Sequence, residues 1–215
     1  MRTLVMASGR GSNLRAIVQA CEAGECDADV VAVLSDRADA EALKFAAAAG
    51  ITSDVVARDR YADRGAWDRA LAERAASHSP ELIVLAGFMR ILGAPILDRF
   101  EGRIINVHPA LLPAFPGKDG PAMAIAAGVR ISGCTVHVVD AGVDTGPILA
   151  QAAVPVLPDD DRDALHARIQ GVEHTLLPRV VHAIARGRIR LGNPPELDTS
   201  GWPAPPDALV WPALG

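Results

Sequence analysis

At 215 residues, half of them apolar, the chain can bury a substantial core and is read most economically as one α/β domain. Its formal charge, 21 − 26 = −5, gives no long-range attraction for nucleic acid or an anionic membrane, so any anion must be met by a local site. Nothing approaches the ~20 apolar residues of a membrane span, and the apolar run after Met1-Arg2 is too short for a signal peptide, so a soluble, cytoplasmic protein is expected.

Residues 3–7 read as a buried strand that runs into Ser8-Gly9-Arg10-Gly11-Ser12-Asn13. After it Leu14, Ile17, Val18 and Cys21 recur at helical spacing. Strand, glycine-bearing turn and helix start make a ready anion site, because glycine lets the backbone come close and the first-turn N–H groups point outward. Arg10 adds charge, and Ser12 and Asn13 add donors. The pattern is neither a Walker A loop nor G-x-G-x-x-G, since Leu14 holds the third glycine position. It reads equally well as a plain turn capped by Ser12 or Asn13. Cys21, Cys26 and Cys134 lack metal-ligand spacing and are expected to be reduced thiols with no metal.

Residues 30–34 form a second strand, and no acidic residue beyond it stands in a ribose-binding context, which argues against a nicotinamide cofactor. An alanine-rich helix over 38–49 closes at Gly50, and 51–56 make a third strand near an edge. The helix over 63–76 carries Trp67, Leu71 and Ala75 on one stripe. Arg64 in its first turn is poorly placed for the helix dipole, which hints at a partner. Residues 81–86 are the most strand-like of all and are expected at the centre of the sheet. The run from Gly87 through Phe88 to Gly93 is too apolar for an ordinary exposed loop and suits one that packs or lines a pocket for a flat, partly apolar ligand.

A short helix over 95–100 precedes the strand Arg103-Ile104-Ile105-Asn106-Val107, which delivers Asn106 and His108 at its end. Pro109, Pro113 and Pro116 then forbid an immediate helix, so an ordered loop follows where open α/β sheets place their chemistry. Residues 121–127 are helical up to Gly128. Strands over 133–139 and 148–156 flank the loop from Asp140 to Gly146 and look like an antiparallel appendage on a parallel sheet. One amide, one imidazole and one carboxylate on two strand-to-loop junctions can handle an oxyanion and a proton, although such groups also serve simply to cap turns. A long helix over 159–186 is apolar at Leu165, Ile169, Val172, Leu176, Val180 and Ile184, with a kink expected at Pro178. Periodicity then stops, and six of the sixteen prolines fall after Asn193. Residues 188–215 read as an irregular tail laid along the surface by Trp202 and Trp211. The fold expected is α/β: a mostly parallel, open twisted sheet, Rossmann-like, with helices on both faces and antiparallel strands toward the C-terminal part.

Together these segments resemble the phosphoribosylglycinamide formyltransferase family. The resemblance is carried by the turn from Ser8 to Leu14, the run from Leu85 to Leu92, the loop from Asn106 to Pro113, and Val143-Asp144-Thr145-Gly146-Pro147. They stand in the family's order and spacing, across residues 2–187. It implies a single formyltransferase domain over 1–187 that moves the formyl group of 10-formyltetrahydrofolate, a co-substrate, onto the amine of glycinamide ribonucleotide in purine synthesis, without a metal. Asn106, His108 and Asp144 match the catalytic positions. Asn106 and protonated His108 would stabilise the oxyanion, while Asp144 would orient the imidazolium and help move the proton.

By the same resemblance the ribonucleotide phosphate would meet Gly11, Ser12 and Asn13, and its sugar Gln170 and Glu173, which on their own read as solvated helix positions. Main-chain groups of Met89, Arg90, Ile91 and Leu92, with Asn106 and the loop Asp140, Ala141, Gly142, Val143 and Asp144, would hold the folate. Arg64 would meet its glutamate tail. The partners implied are small molecules and not nucleic acid or membrane, with the oligomeric state, a homodimer included, left open. One departure stands out: the family reads Pro-Gly-x-His where this chain reads Pro116-Gly117-Lys118-Asp119. The alternatives are another folate-dependent formyl-handling enzyme and a non-catalytic nucleotide- or folate-binding module.

Overall fold

Five parallel strands form most of the sheet in the computed structural model, which describes residues 1–192 and 194–201; Trp202 and Trp211 lie outside them. These are β1 (Arg2–Met6), β2 (Asp29–Ser35), β3 (Ser53–Val55), β4 (Leu82–Leu85) and β5 (Ile104–His108). β6 (Ile131–Val138) and β7 (Ile148–Pro155) extend the sheet antiparallel, giving the order β3-β2-β1-β4-β5-β6-β7. β4 is therefore central and β3 an edge, as the apolar pattern predicts.

Helices α1 (Ser12–Glu22), α2 (Glu41–Ala48), α3 (Arg64–Ser77), α4 (Ala94–Arg99), α5 (Gly120–Ala127) and α6 (Arg162–Ala185) cover the faces. Alternation along β1 divides the interior into two cores. Val5 and Ala7 join Leu14, Ile17, Ala42, Ala124 and Ile169 on one face, and Leu4 and Met6 join Trp67, Leu71 and Ile96 on the other. Trp67 packs without stranding its polar end, because Nε1 donates to the Val56 carbonyl at 2.7 Å. Strands buried on both faces read as continuous apolar runs, which is why these were legible as parallel.

Two expectations need correcting. The buried stripe of α6 is Leu165, Ile169, Glu173, Leu177 and Val181, with Val180 beside it, so Glu173 holds an interior position and Val172, Leu176 and Ile184 are only partly buried. The helix continues as one element through Pro178. β6 is buried along almost its whole length, with Thr135 facing the loop after β5 and His137 facing Asp144. The chain after α6 is not wholly irregular: β8 (Ile189–Arg190) pairs antiparallel with β9 (Glu196–Leu197), two strands too short to leave a period in the sequence.

Candidate active site

Asn106 and His108 are two apart on β5 and therefore share a face. The antiparallel register sets Asn106 opposite His137 and His108 opposite Thr135 on β6. Cross-strand neighbours are close enough to bond, and Asn106 Nδ2 lies 3.1 Å from His137 Nε2. His137 Nδ1 donates to the Val138 carbonyl at 2.9 Å, which fixes the ring with Nε2 turned toward the Asn106 amide. Asn106 is thereby oriented by a residue read from the sequence only as part of a strand.

The loop after β5 is tied to β6 by Thr135. Its hydroxyl donates to the Ala110 carbonyl at 2.7 Å and accepts the Leu112 N–H at 3.0 Å, while Gln151 Nε2 reaches both that oxygen and the Leu112 carbonyl. So anchored, the loop turns back to place the Phe115 carbonyl 2.8 Å from His108 Nε2. It also aims the Gly117 N–H at Asp144 Oδ2, 2.7 Å away. On the other side, the Asp140 carboxylate accepts from the Gly142 N–H and the Thr145 hydroxyl and holds the 140–145 turn. Gly146 packs so tightly on the Val138 carbonyl that a Cβ there would fall 1.9 Å from its oxygen.

Asp144 Oδ2 stands 3.3 Å from His108 Nδ1, and Oδ1 stands 3.5 Å from His137 Nε2. His108 thus has an acceptor at each ring nitrogen, a carbonyl and a carboxylate. Only the doubly protonated ring donates to both. Burial pushes the Asp144 carboxyl up, but His137, the Gly117 N–H and His108 outweigh it, and the net displacement is downward. The result is a carboxylate beside an imidazole with an oriented amide next to it, with both histidines almost fully buried.

A cavity of about 610 Å³ lies between the turn after β1, the run after β4 and α6. Gly11, Ser12, Asn13, Gln170 and Glu173 all line it, together with Arg10, Arg37 and His166. Gly11 is the N-cap of α1 at φ 73°, and no side chain caps that helix, so neither Ser12 nor Asn13 takes the capping role. The first-turn N–H groups therefore remain free of a side-chain acceptor at the cavity wall. Glu173 Oε2 accepts from Asn13 Nδ2 at 3.0 Å, and burial raises its carboxyl above the ordinary value despite that bond. Arg10 and Arg37 supply the local positive character that the net charge lacks, whereas burial and the nearby Arg162 and Arg10 hold the His166 ring below its ordinary value and so favour its neutral form.

Met89 and Arg90 also line this cavity, and so do Val107 and Pro109, the sequence neighbours of the trio. Asn106, His108, Arg64, Ile91, Leu92 and the run 140–144 do not. Residues 140–143 are exposed beside Asp144, Met89 and Ile91 are exposed, and Leu92 is buried in the core. Arg64 bonds Asp68 at 2.8–2.9 Å and the Ile91 carbonyl, so its place in the first turn of α3 is already explained by a carboxylate one turn on. Asp119 pairs with Arg162 at 3.0 Å, joining the start of α5 to that of α6. Among the described residues no cluster of His, Cys, Asp and Glu could hold a metal, and no helix is long and apolar enough to cross a membrane.

With that geometry in view, the similarities are specific. The family profile described as formyl transferase matches residues 1–181. A phosphoribosylglycinamide formyltransferase of Mycobacterium tuberculosis is 52% identical over 184 residues, 86% of this chain and 85% of the relative. One from Escherichia coli is 39% identical over 191 residues, covering 89% and 90%. The solved structure of glycinamide ribonucleotide transformylase 1 from Symbiobacterium toebii superposes with a TM-score of 0.87 at 45% identity, covering 89% of this chain and 91% of that one. Matched over most of its length by profile, sequence and fold, the chain belongs to the formyl transferase family.

Proposed function

We propose that this protein transfers the formyl group of 10-formyltetrahydrofolate to the amine of glycinamide ribonucleotide, with residues 1–187 as the catalytic domain. The observation that carries the mechanism is His108 held between Asp144 and the Phe115 carbonyl, beside an amide fixed by His137. The relatives' names support the substrates. As the amine attacks the formyl carbon, charge collects on the formyl oxygen. The Asn106 amide is held in place against His137, and an Nδ2 N–H is available to that oxygen. His108 exchanges its bond to the neutral Phe115 carbonyl for one to the oxyanion, a charge-assisted bond and so the stronger of the two. Asp144 keeps the imidazolium paired and assists, through a water, the passage of the proton from the attacking nitrogen to the departing one. The side chains supply no covalent nucleophile, because the attacking amine belongs to the substrate.

The ribonucleotide phosphate is assigned to Gly11, Ser12 and Asn13 and its sugar to Gln170 and Glu173. The folate is assigned to the 89–92 run, Asn106 and the 140–144 loop, with Arg64 toward its tail. Free small molecules of this kind support a cytoplasmic location. The test is to incubate the protein with both substrates and follow formylated ribonucleotide by mass spectrometry alongside formate release. Ribonucleotide-dependent formyl transfer is expected. Formate release without the ribonucleotide would replace the reading with hydrolysis, and binding of both ligands with neither product would make the protein a binding module.

A further inference from the structure

Asp36, just beyond β2, has no part in the chemistry above, yet its side chain is only 1% exposed. A carboxylate buried that deeply needs its charge met. Two donors meet it: the Ser8 hydroxyl at 2.6 Å and Arg90 Nε at 2.6 Å. Ser8 Oγ in turn accepts the Met89 N–H at 2.9 Å, and the Ser8 N–H donates to the Gly87 carbonyl at 3.0 Å. β2, β1 and β4 are neighbours in the sheet, so one carboxylate laces together the loops leaving three adjacent strand ends.

Two of those loops are assigned to different substrates. Ser8 opens the turn proposed for the phosphate, and Gly87 opens the run proposed for the folate. Phe88 and Leu92 are buried and pin that run at its ends, while Met89 and Ile91 between them are 74% and 60% exposed. Apolar burial therefore does little to place residues 89–91. Three polar contacts do it: Met89 N–H on Ser8, Arg90 on Asp36, and the Ile91 carbonyl on Arg64. Two of the three run through the Ser8–Asp36 pair.

We infer that Asp36 is a positioning residue for the folate loop. It orients the Ser8 hydroxyl so that its lone pair meets the Met89 N–H, and it fixes the guanidinium of Arg90. Because Ser8 also begins the phosphate turn, the same carboxylate couples the two substrate sites. The coupling rests on the formyl-transfer reading; the anchoring of 89–91 does not.

The test uses Asp36→Asn, which keeps the volume and an acceptor for Ser8 but cannot neutralise Arg90. In ligand-free protein, hydrogen exchange at residues 89–91 is expected to quicken in Asp36→Asn and in Ser8→Ala, while α3 stays protected. In kinetics, Asp36→Asn is expected to raise the KM for the folate about tenfold with kcat within about threefold, a split that general loosening would not give. Arg90→Gln added to Asp36→Asn should cost nothing further. Inorganic phosphate, as the probe of the first site, should tighten tetrahydrofolate binding in the wild type and by the same factor in reverse, an effect lost in Asp36→Asn. Unchanged exchange at 89–91, or faster exchange with unchanged folate affinity and phosphate effect, would overturn the assignment. Wild-type protein that fails to transfer formyl would overturn the proposed reaction, while the exchange and tetrahydrofolate arms would still decide the role of Asp36.

Discussion

Replacing Asp144 with asparagine removes one negative charge and leaves the volume alone. In the wild type that charge is 3.3 Å from His108 Nδ1 and 3.5 Å from His137 Nε2, with the three side chains 14%, 5% and 2% exposed respectively. A unit pair 3.3 Å apart at an effective dielectric near 20 is worth about 5 kcal/mol, part of which the wetter edge of Asp144 screens away. If roughly 3–4 kcal/mol of that is what holds the imidazolium ready for the oxyanion, kcat falls on the order of 10²–10³-fold. The KM for the ribonucleotide stays within about threefold, since its proposed contacts lie on the 8–13 turn and α6. Gly117 keeps an acceptor in the amide oxygen, so the loop should not come adrift. The assay is initial rates from the pterin absorbance change, varying each substrate in turn, with thermal melts to show that the variant is folded. A folded Asp144→Asn enzyme with kcat within about fivefold of wild type would refute the claim that the carboxylate–imidazolium pair carries the reaction.

Three further outcomes follow from the site and its frame. Burial raises the Glu173 carboxyl, so the native state holds this proton more tightly than the unfolded chain. The stability from that group is full below the ordinary value of 4.5 and is lost as pH rises through the raised one, so Glu173→Gln should melt above wild type at pH 8 and match it near pH 4. Equal melting at both would contradict the burial argument. Gly11→Ala meets both a left-handed backbone and Ala42, whose Cβ would be 2.8 Å from the new methyl. It should cost about 2–4 kcal/mol in urea unfolding and abolish ribonucleotide saturation. The Asp119–Arg162 pair is 40% and 49% exposed on its two side chains, so Asp119→Ala should cost less than about 1 kcal/mol and leave kcat within about threefold. A large loss of rate would mean that Asp119 does more in the reaction than its contacts indicate.

Much of the frame was legible because parallel strands buried on both faces leave unbroken apolar runs, and 82–85 leave the plainest of them. Asn106, His108 and Asp144 were legible because proline-rich and glycine-rich loops follow their strands. His137 was not. It alternates with apolar residues like any strand position, and only the register that sets it opposite Asn106 shows what it does. Glu173 was misplaced for a related reason, since helical spacing allowed either residue 172 or 173 to face inward and apolarity favoured Val172. Asp36 follows its strand without the surroundings of a ribose ligand, and its partners, Ser8 and Arg90, come from other strand ends that no local pattern connects. The short β8–β9 ribbon escaped because two-residue strands carry no period.

The central claim is that His108 acts on the formyl carbon's oxygen and does not merely hold the loop. It is tested most directly by single-turnover transfer of a labelled formyl group with both substrates pre-bound, comparing wild type with His108→Ala and measuring folate affinity in the same samples. Transfer slowed on the order of 10³-fold or more with folate affinity retained is the expected result. Transfer at a near wild-type rate by a folded His108→Ala protein would contradict it.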